Sequence, residues 1–581
     1  MISLRIRRFT RLFVVELWPW YVGGTLFLAV TNIITLEIPQ LAKEIVNALQ
    51  HNQALTGDGH LSRLALAIIA LGLTQILVRS MSRILIFWPG RKIEASSKSY
   101  LFKRTMHLPQ IFYDRFGMGD LISRLSNDLG QLRIFFAFAV LQILNLGFIG
   151  VFTLYKMLSV HTQLTLLSLS PILFMLVAAR YVMPQLGRFT KKNQEAIGTL
   201  TNRVTESFSN IHVIQSNAAE KSFHKLIDIE SQKVFETDMK VLVLRTLFFP
   251  LITSLTGLAQ LIVLFMGGTL VVRGELSVGD ILAFNIYLSY LAFPLTSIGI
   301  IIAIYQRSKS ALERLDPMFT EPLEGPLSAL NGTSHSDPIL EFRQLHFQYP
   351  DGQAPVLKDL SFSVRPGEML GICGPVGSGK SSLFSLITRI YDPPEATVFF
   401  EGQDITQLNP AHLRMQIGYG LQRVHLFSAS IRENLGFGLD PKPTQEELER
   451  AAQAAQVDRE ILGFSEGWAT QIGEKGIRLS GGQKQRLALA RLFLRRSKLL
   501  LLDDVLSAVD NITEAKLIEE LRQRQGTMLI CSHRSSVLNL CDRVLLLNEG
   551  QLIDEGKFQE LIRRHPELQE EIHDEPSPET V

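Results

Sequence analysis

Apolar residues are spread unevenly along this chain. Before residue 305 they gather into six runs of about 20 residues or more, the length an α-helix needs to cross a lipid bilayer. These lie near 17–40, 62–86, 135–157, 162–183, 247–272 and 279–305. Two long polar connections, 87–134 and 184–246, interrupt them and concentrate basic residues: Arg91, Lys92, Lys98, Lys103 and Arg104, then Arg188, Lys191, Lys192, Arg203 and Lys221. Such charge marks the cytoplasmic side of a spanning protein. Both connections, the N-terminus and everything after residue 305 are therefore expected in the cytoplasm, and an even number of spans gives the same answer. From Ile339 the pattern changes to short apolar strands alternating with helices, which predicts an α/β domain with a partly parallel sheet.

The two cytoplasmic connections read as helices that run on past the bilayer and turn at a tip. At the first, Phe112-Tyr113-Asp114-Arg115-Phe116-Gly117-Met118-Gly119-Asp120-Leu121 supplies two glycines and an expected exposed aromatic pair. At the second, the stretch from Glu206 to Ile214 plays the equivalent part. The tips are either docking points for a cytoplasmic domain or ordinary solvated turns. Ser3–Glu16, basic and apolar at helical spacing, reads as a helix lying on the cytoplasmic leaflet. The long apolar run after Arg5, Arg7, Arg8 and Arg11 lacks a small-x-small cleavage site, so it is expected to be a retained anchor. Ionisable groups inside spans usually face a cavity or a partner, which makes Glu37, Arg79 and Arg83 candidates. The two arginines sit late in their span, where snorkelling to the interface is the expectation.

These patterns divide the chain into a membrane domain (1–315), a linker rich in Pro, Gly, Ser and Asn (316–338), a second domain (339–567) and an acidic tail expected to be disordered (568–581). A chain of 581 residues exceeds one ordinary core. Its 46% apolar content and mean hydropathy of +0.17 are high for a soluble protein, and the excess sits in the first 305 residues. A formal net charge of +2 gives no reason to expect a nucleic-acid partner. Cys373, Cys531 and Cys541 show neither metal-ligand spacing nor a disulfide framework, which suits a reducing cytosol.

The clearest chemistry lies at Gly374-Pro375-Val376-Gly377-Ser378-Gly379-Lys380-Ser381, which fits G-x-x-x-x-G-K-[ST]. A short apolar strand ends at Cys373 and a helix opens around Ser382, the context that motif requires. Glycines let backbone N–H groups close around phosphate oxygens, and the helix N-terminus adds positive potential. Lys380 is placed to reach the β- and γ-phosphates of ATP or GTP, and the Ser381 hydroxyl to hold Mg²⁺. Leu499-Leu500-Leu501-Leu502-Asp503 reads as a buried strand with a carboxylate at its end, a second Mg²⁺ ligand. Leu479-Ser480-Gly481-Gly482-Gln483 precedes a helix and forms a second phosphate-binding turn. One domain has no use for two γ-phosphate cradles on separate faces, whereas two domains facing head to tail do.

Together with Ser532-His533, about thirty residues beyond Asp503, these motifs resemble an ATP-binding cassette (ABC) domain. Six preceding spans with long extensions resemble a type IV ABC exporter half-transporter, and the resemblance covers roughly residues 10 to 565. It implies an all-α transmembrane domain followed by an α/β P-loop domain, with two halves sandwiching two ATP molecules. By resemblance, Tyr349 stacks on adenine, and Gln422 touches Mg²⁺ and the attacking water. Glu474 senses the opposite half. Ser480, Gly481, Gly482 and Gln483 hold the γ-phosphate of ATP bound to the partner, and Ser507-Ala508-Val509-Asp510 runs along the dimer seam. His533 contacts the γ-phosphate in the transition state.

One position departs from the family pattern. The family has Glu directly after the strand's Asp, where it positions or deprotonates the attacking water; this chain has Asp504. The continuation through Asp510 resembles the impaired half of heterodimeric exporters, notably the MdlA-type multidrug-resistance-like subunits. The resemblance then implies an ATP hydrolase whose own site is slow, paired with a non-identical second half whose fast site Ser480 completes. It also implies a multi-pass protein of a bacterial inner membrane that exports amphipathic small molecules. Two other readings stay open: a homodimeric exporter or lipid flippase in which Asp504 is competent, and an ATP-gated regulatory or channel subunit. The spans exclude a nucleic-acid-handling ABC protein.

Overall fold

The computed structural model describes residues 2–50, 60–324, 338–350, 352–473, 479–506, 509–524 and 526–566. They form two compact units: Met1–Met106 with Met118–Thr320, and His107–Gly117 with Glu321–Val581.

The first unit is helical. After an N-terminal helix, Ile2–Phe13, come α1 (Trp18–Gln50), α2 (His60–Thr105), α3 (Val140–Val160), α4 (Thr162–Ser209), α5 (Glu220–Val272) and α6 (Val278–Thr320). Among the described residues, five helical segments are long and apolar enough to cross a membrane: Val15–Gln50, Leu61–Thr105, Met118–Val160, Thr162–Ser209 and Glu220–Val272. The sixth expected span falls within α6, whose described apolar stretch, Val278–Leu291, is shorter. At about 1.5 Å per residue, α4 and α5 are roughly 70–80 Å long, more than twice a bilayer core. They continue well past it, as their polar halves predict.

Close helix contacts use small residues, as expected where lipid removes the hydrophobic drive between helices. A Cβ on Gly24 of α1 would sit 2.5 Å from Ile86 of α2, and one on Gly90 would sit 2.8 Å from Ala137. Glu37 is ion-paired with Lys156 at 3.1 Å, and Lys43 with Asp280 at 2.6 Å.

Two expectations change here. Helix α6 runs to Thr320, into the stretch read as linker. Leu315 and Met318, almost one turn apart, are both fully buried, and Arg104 Nε donates to the Met318 carbonyl at 2.9 Å. The burial outweighs the local Asp-Pro breaker signal. Phe112, read as half of an exposed aromatic pair, is fully buried against Phe116, with ring centroids 4.9 Å apart. The rest of that linker, 325–337, and the acidic tail lie outside the described residues.

The second unit is α/β. A four-stranded antiparallel sheet has the order β2-β1-β4-β5, formed by Leu340–Phe347 (β1), Leu357–Val364 (β2), Val398–Phe400 (β4) and Gln403–Asp404 (β5). A six-stranded sheet has the order β10-β9-β3-β8-β7-β6, with Met369–Cys373 (β3) near its centre. Its other members are Ile417–Gly420 (β6), Leu499–Asp503 (β7), Thr527–Cys531 (β8), Arg543–Asn548 (β9) and Gln551–Gly556 (β10). All but β10 pair in parallel. β7 and β8 are buried at every position, which is why they read as unbroken apolar runs rather than alternation.

The first tip belongs to this unit. Tyr391 donates its hydroxyl hydrogen to Asp114 Oδ2 at 2.6 Å, and Glu324 N–H donates to the His107 carbonyl at 3.0 Å. The Glu324 carboxylate accepts a fork of two bonds from Arg414 at 2.8 and 3.1 Å.

Candidate functional site

The carboxyl ends of β3, β7 and β8 lie side by side, the edge where open parallel sheets bind ligands. β3 delivers the loop Gly374–Gly379, which opens into α7, Lys380–Ile387. Gly374 and Gly379 have φ of +143° and +100°. A Cβ on Gly379 would lie 2.6 Å from Leu357, and one on Gly374 would collide with the Leu547 carbonyl. Glycine is therefore required at both positions by backbone shape and by space. Lys380 Nζ donates to the carbonyls of Gly374 and Pro375 at 2.6 and 2.9 Å, which curls the loop around its ammonium. Ser378 is buried and Val376 stands fully outward at the crown.

Register places the acidic pair. Asp503 of β7 sits opposite Cys531 of β8, so Asp504 and Ser532-His533 follow from adjacent strand ends. Burial pushes the Asp503 carboxyl above its ordinary value; a hydrogen bond with Ser381 opposes this, Asp504 adds to it, and Lys380 and His533 counter it. Phosphate loop, Asp503, Asp504 and His533 thus share one electrostatic neighbourhood. Asp504 holds a left-handed backbone at φ +48°, and its N–H donates to the Cys531 carbonyl at 3.0 Å. Two hard oxygen ligands meeting through a hydrogen bond, Ser381 and Asp503, fit Mg²⁺.

Tyr349 donates its hydroxyl hydrogen to Ser382 Oγ at 2.8 Å, beside the phosphate loop. Its ring stands edge-on to Tyr391 at 4.9 Å. Gln422 is exposed just beyond the end of β6.

Ser480–Gln483 form a separate feature. Ser480 caps α8 (Gly481–Leu494), accepting from Gln483 N–H at 3.3 Å, while Gln483 Oε1 accepts from Ser480 N–H at 2.9 Å. This reciprocal box presents the helix start. Among the described residues, no hydrogen bond joins it to the phosphate loop. Asp510 caps α9 (Asn511–Gln523), accepting from Thr513 N–H at 3.0 Å, and that bond holds its carboxyl below the usual range. Glu474, Ser507 and Ala508 lie outside the described residues.

Sequence reasoning missed the buried Glu514 on α9, which is ion-paired with Arg534 and hydrogen-bonded to Ser536. Arg534 also reaches the Val509 carbonyl at 3.4 Å. The network ties the segment before α9 to the one after His533. Its partners are some twenty residues apart, beyond any local pattern, although an acidic residue four after a capping Asp was a usable hint.

Comparison with known proteins agrees with this architecture. A family model described as the ABC transporter transmembrane region matches residues 21–295, and one described as ABC transporter matches 357–507. The chain is 30% identical over 556 residues to the multidrug resistance-like ATP-binding protein MdlA of Escherichia coli (strain K12), covering 94% of this chain and 92% of that one. It is 30% identical over 557 residues to the probable multidrug resistance ABC transporter ATP-binding/permease protein YheI of Bacillus subtilis (strain 168), with 94% and 93% covered. A solved structure of a bacterial Atm1-family ABC exporter with ATP bound superposes with a TM-score of 0.78 at 23% identity, covering 97% and 99%. That likeness establishes the shared fold.

Proposed function

The chain belongs to the ABC transporter family, homologous to MdlA-type multidrug-resistance-like exporters, and from this we propose that it is the half with an impaired catalytic carboxylate in a heterodimeric exporter of amphipathic small molecules. The ATP-binding domain couples ATP hydrolysis to transport. Asp504 carries the finer reading, because it stands where the family has Glu while the Leu479–Gln483 signature is intact.

Each residue has a task in this reading. Lys380 and the loop N–H groups bind the β- and γ-phosphates, and Tyr349 seats the adenine. Ser381 and Asp503, joined by Gln422 on the family pattern, would hold Mg²⁺, which when bound would supply positive charge to the phosphates. In hydrolysis, a water oxygen bonds to the γ-phosphorus as the bond to the β-bridging oxygen breaks; ADP leaves, and the water's proton passes to the carboxylate after Asp503. With Asp504 that carboxylate is one methylene short, and a misplacement of about 1 Å costs on the order of a hundredfold. His533 stabilises the γ-phosphate as charge builds. Ser480 and the N–H groups of Gly481 and Gly482 are offered to ATP on the partner, whose own carboxylate is intact, while Gln483 holds that helix start open through its reciprocal bonds with Ser480. The protein resides in a bacterial inner membrane, with both termini and the ATP-binding domain in the cytoplasm.

The test is steady-state ATP hydrolysis by the purified full-length chain beside Asp504→Glu. A near-silent wild type with turnover restored in the variant supports the reading. Brisk wild-type turnover sinks it and favours a homodimer in which Asp504 is competent.

A further inference from the structure

Arg79 and Arg83, both exposed, line a pocket of about 280 Å³ among α1, α2, α3 and α6. Asn32, Thr35, Gln142, Asn145 and Tyr290 complete its polar wall, and among the described residues no carboxylate lines it. Nor does any described carboxylate pair with either arginine, whereas Glu37 has Lys156 and Asp280 has Lys43. Thr35 gives its hydroxyl hydrogen to the Thr31 carbonyl on its own helix at 2.7 Å, and Ser82 gives its own to the Arg79 carbonyl at 2.8 Å. Asn32 likewise gives an amide hydrogen to the Leu28 carbonyl at 3.0 Å, so the guanidiniums, with the Gln142 and Asn145 amides and the Tyr290 hydroxyl, are the main donors left for an occupant.

Two cations late in an apolar span, with no counter-ion among the described residues, are costly unless something negative joins them. Guanidinium forks match phosphate and carboxylate geometry. At about 280 Å³ the space is small for a whole drug-sized molecule. A second, apolar pocket of about 430 Å³, lined by Trp18, Leu26, Phe136 and Leu144 among others, lies on α1, α3 and the helical turn just before α3. Leu26 and Thr31, one in each wall, are separated by roughly 7.5 Å along α1.

We propose that the polar cavity binds the anionic head of an amphipathic substrate, a phosphate, carboxylate or sulfonate, with Arg79 and Arg83 as counter-ions and the apolar pocket seating its tail. This rests on the export reading and narrows its substrate class.

The probe is a fluorescent dodecanoate and its methyl ester, which share a tail and differ in charge. Binding is measured without nucleotide to the full-length chain, in the assembly in which it purifies, in phosphatidylcholine nanodiscs. The wild type prefers the acid over the ester by on the order of tenfold. The double change Arg79→Gln, Arg83→Gln abolishes that preference while ester affinity persists, which also reports a folded pocket; Arg79→Lys, Arg83→Lys keeps an acid preference. Displacement of the acid by phosphatidylglycerol supports the site with a lipid as occupant. Binding indifferent to phosphatidylglycerol supports it with a free amphiphile. No acid preference in the wild type, or one unchanged in the glutamine variant, overturns the proposal. Because nucleotide is absent, the ratio is independent of what Asp504 does, so either reading can fail alone.

Discussion

A left-handed backbone at residue 504, φ +48°, is entered more cheaply by Asp than by most residues, because a short polar side chain can bond locally. Local comfort and catalytic reach therefore pull in opposite directions at this position. Asp504→Glu is expected to raise turnover of the purified chain on the order of a hundredfold, read by phosphate release. Ser480→Ala removes the capping hydroxyl of α8 and is expected to cost about 1 kcal/mol in chemical denaturation. In the proposed complex the same change leaves nucleotide binding at the chain's own phosphate loop intact and slows hydrolysis at the partner's site. The motif residues Lys380, Ser381 and Asp503 were legible because backbone shape and metal chemistry dictate residue type at fixed spacing. Glu514 and Arg534 were not, because their pairing exists only after β8 has come to lie beside β7.

At the scale of elements, the burial pattern was the reliable guide and local breaker signals were not. The unbroken leucines of β7 identify a strand covered on both faces, whereas Asp316-Pro317 does not end α6, since Leu315 and Met318 have cores to enter. Phe112 looked solvent-facing because a turn rich in glycine and charge surrounds it, yet it is fully buried and packs against Phe116, one helical turn on. Arg414 shows how pieces distant in sequence are held. It binds Glu324 by two bonds and donates to the carbonyls of Thr388 and Arg389 at 2.9 and 2.5 Å. Arg414→Ala leaves those acceptors without their charged donor and is expected to cost about 2 kcal/mol, measured by the denaturation midpoint of the ATP-binding unit.

For the whole molecule, the proposed pairing makes a prediction about mass. A tagged chain extracted from its native membrane is expected to run as a one-to-one complex with a non-identical half that carries Glu after its strand-ending Asp; native mass spectrometry reads this directly. A complex containing two copies of this chain would remove the reason to assign the slow and fast sites to different subunits. The six-run pattern made a membrane half legible, and the strand–helix alternation an ATP-binding half. It left open whether the first tip docks on a cytoplasmic domain, and the second unit is in fact assembled from two separate stretches, His107–Gly117 and everything from Glu321 onward. The apolar pattern reports what is buried, not what buries it. That discontinuity reaches into inheritance. A crossover between two half-transporter genes that exchanges the C-terminal part alone leaves Tyr391 facing a foreign residue at 114. Exchanges that preserve fit must carry His107–Gly117 along, so the short tip and the distant ATP-binding segment are expected to travel through evolution as one linked trait.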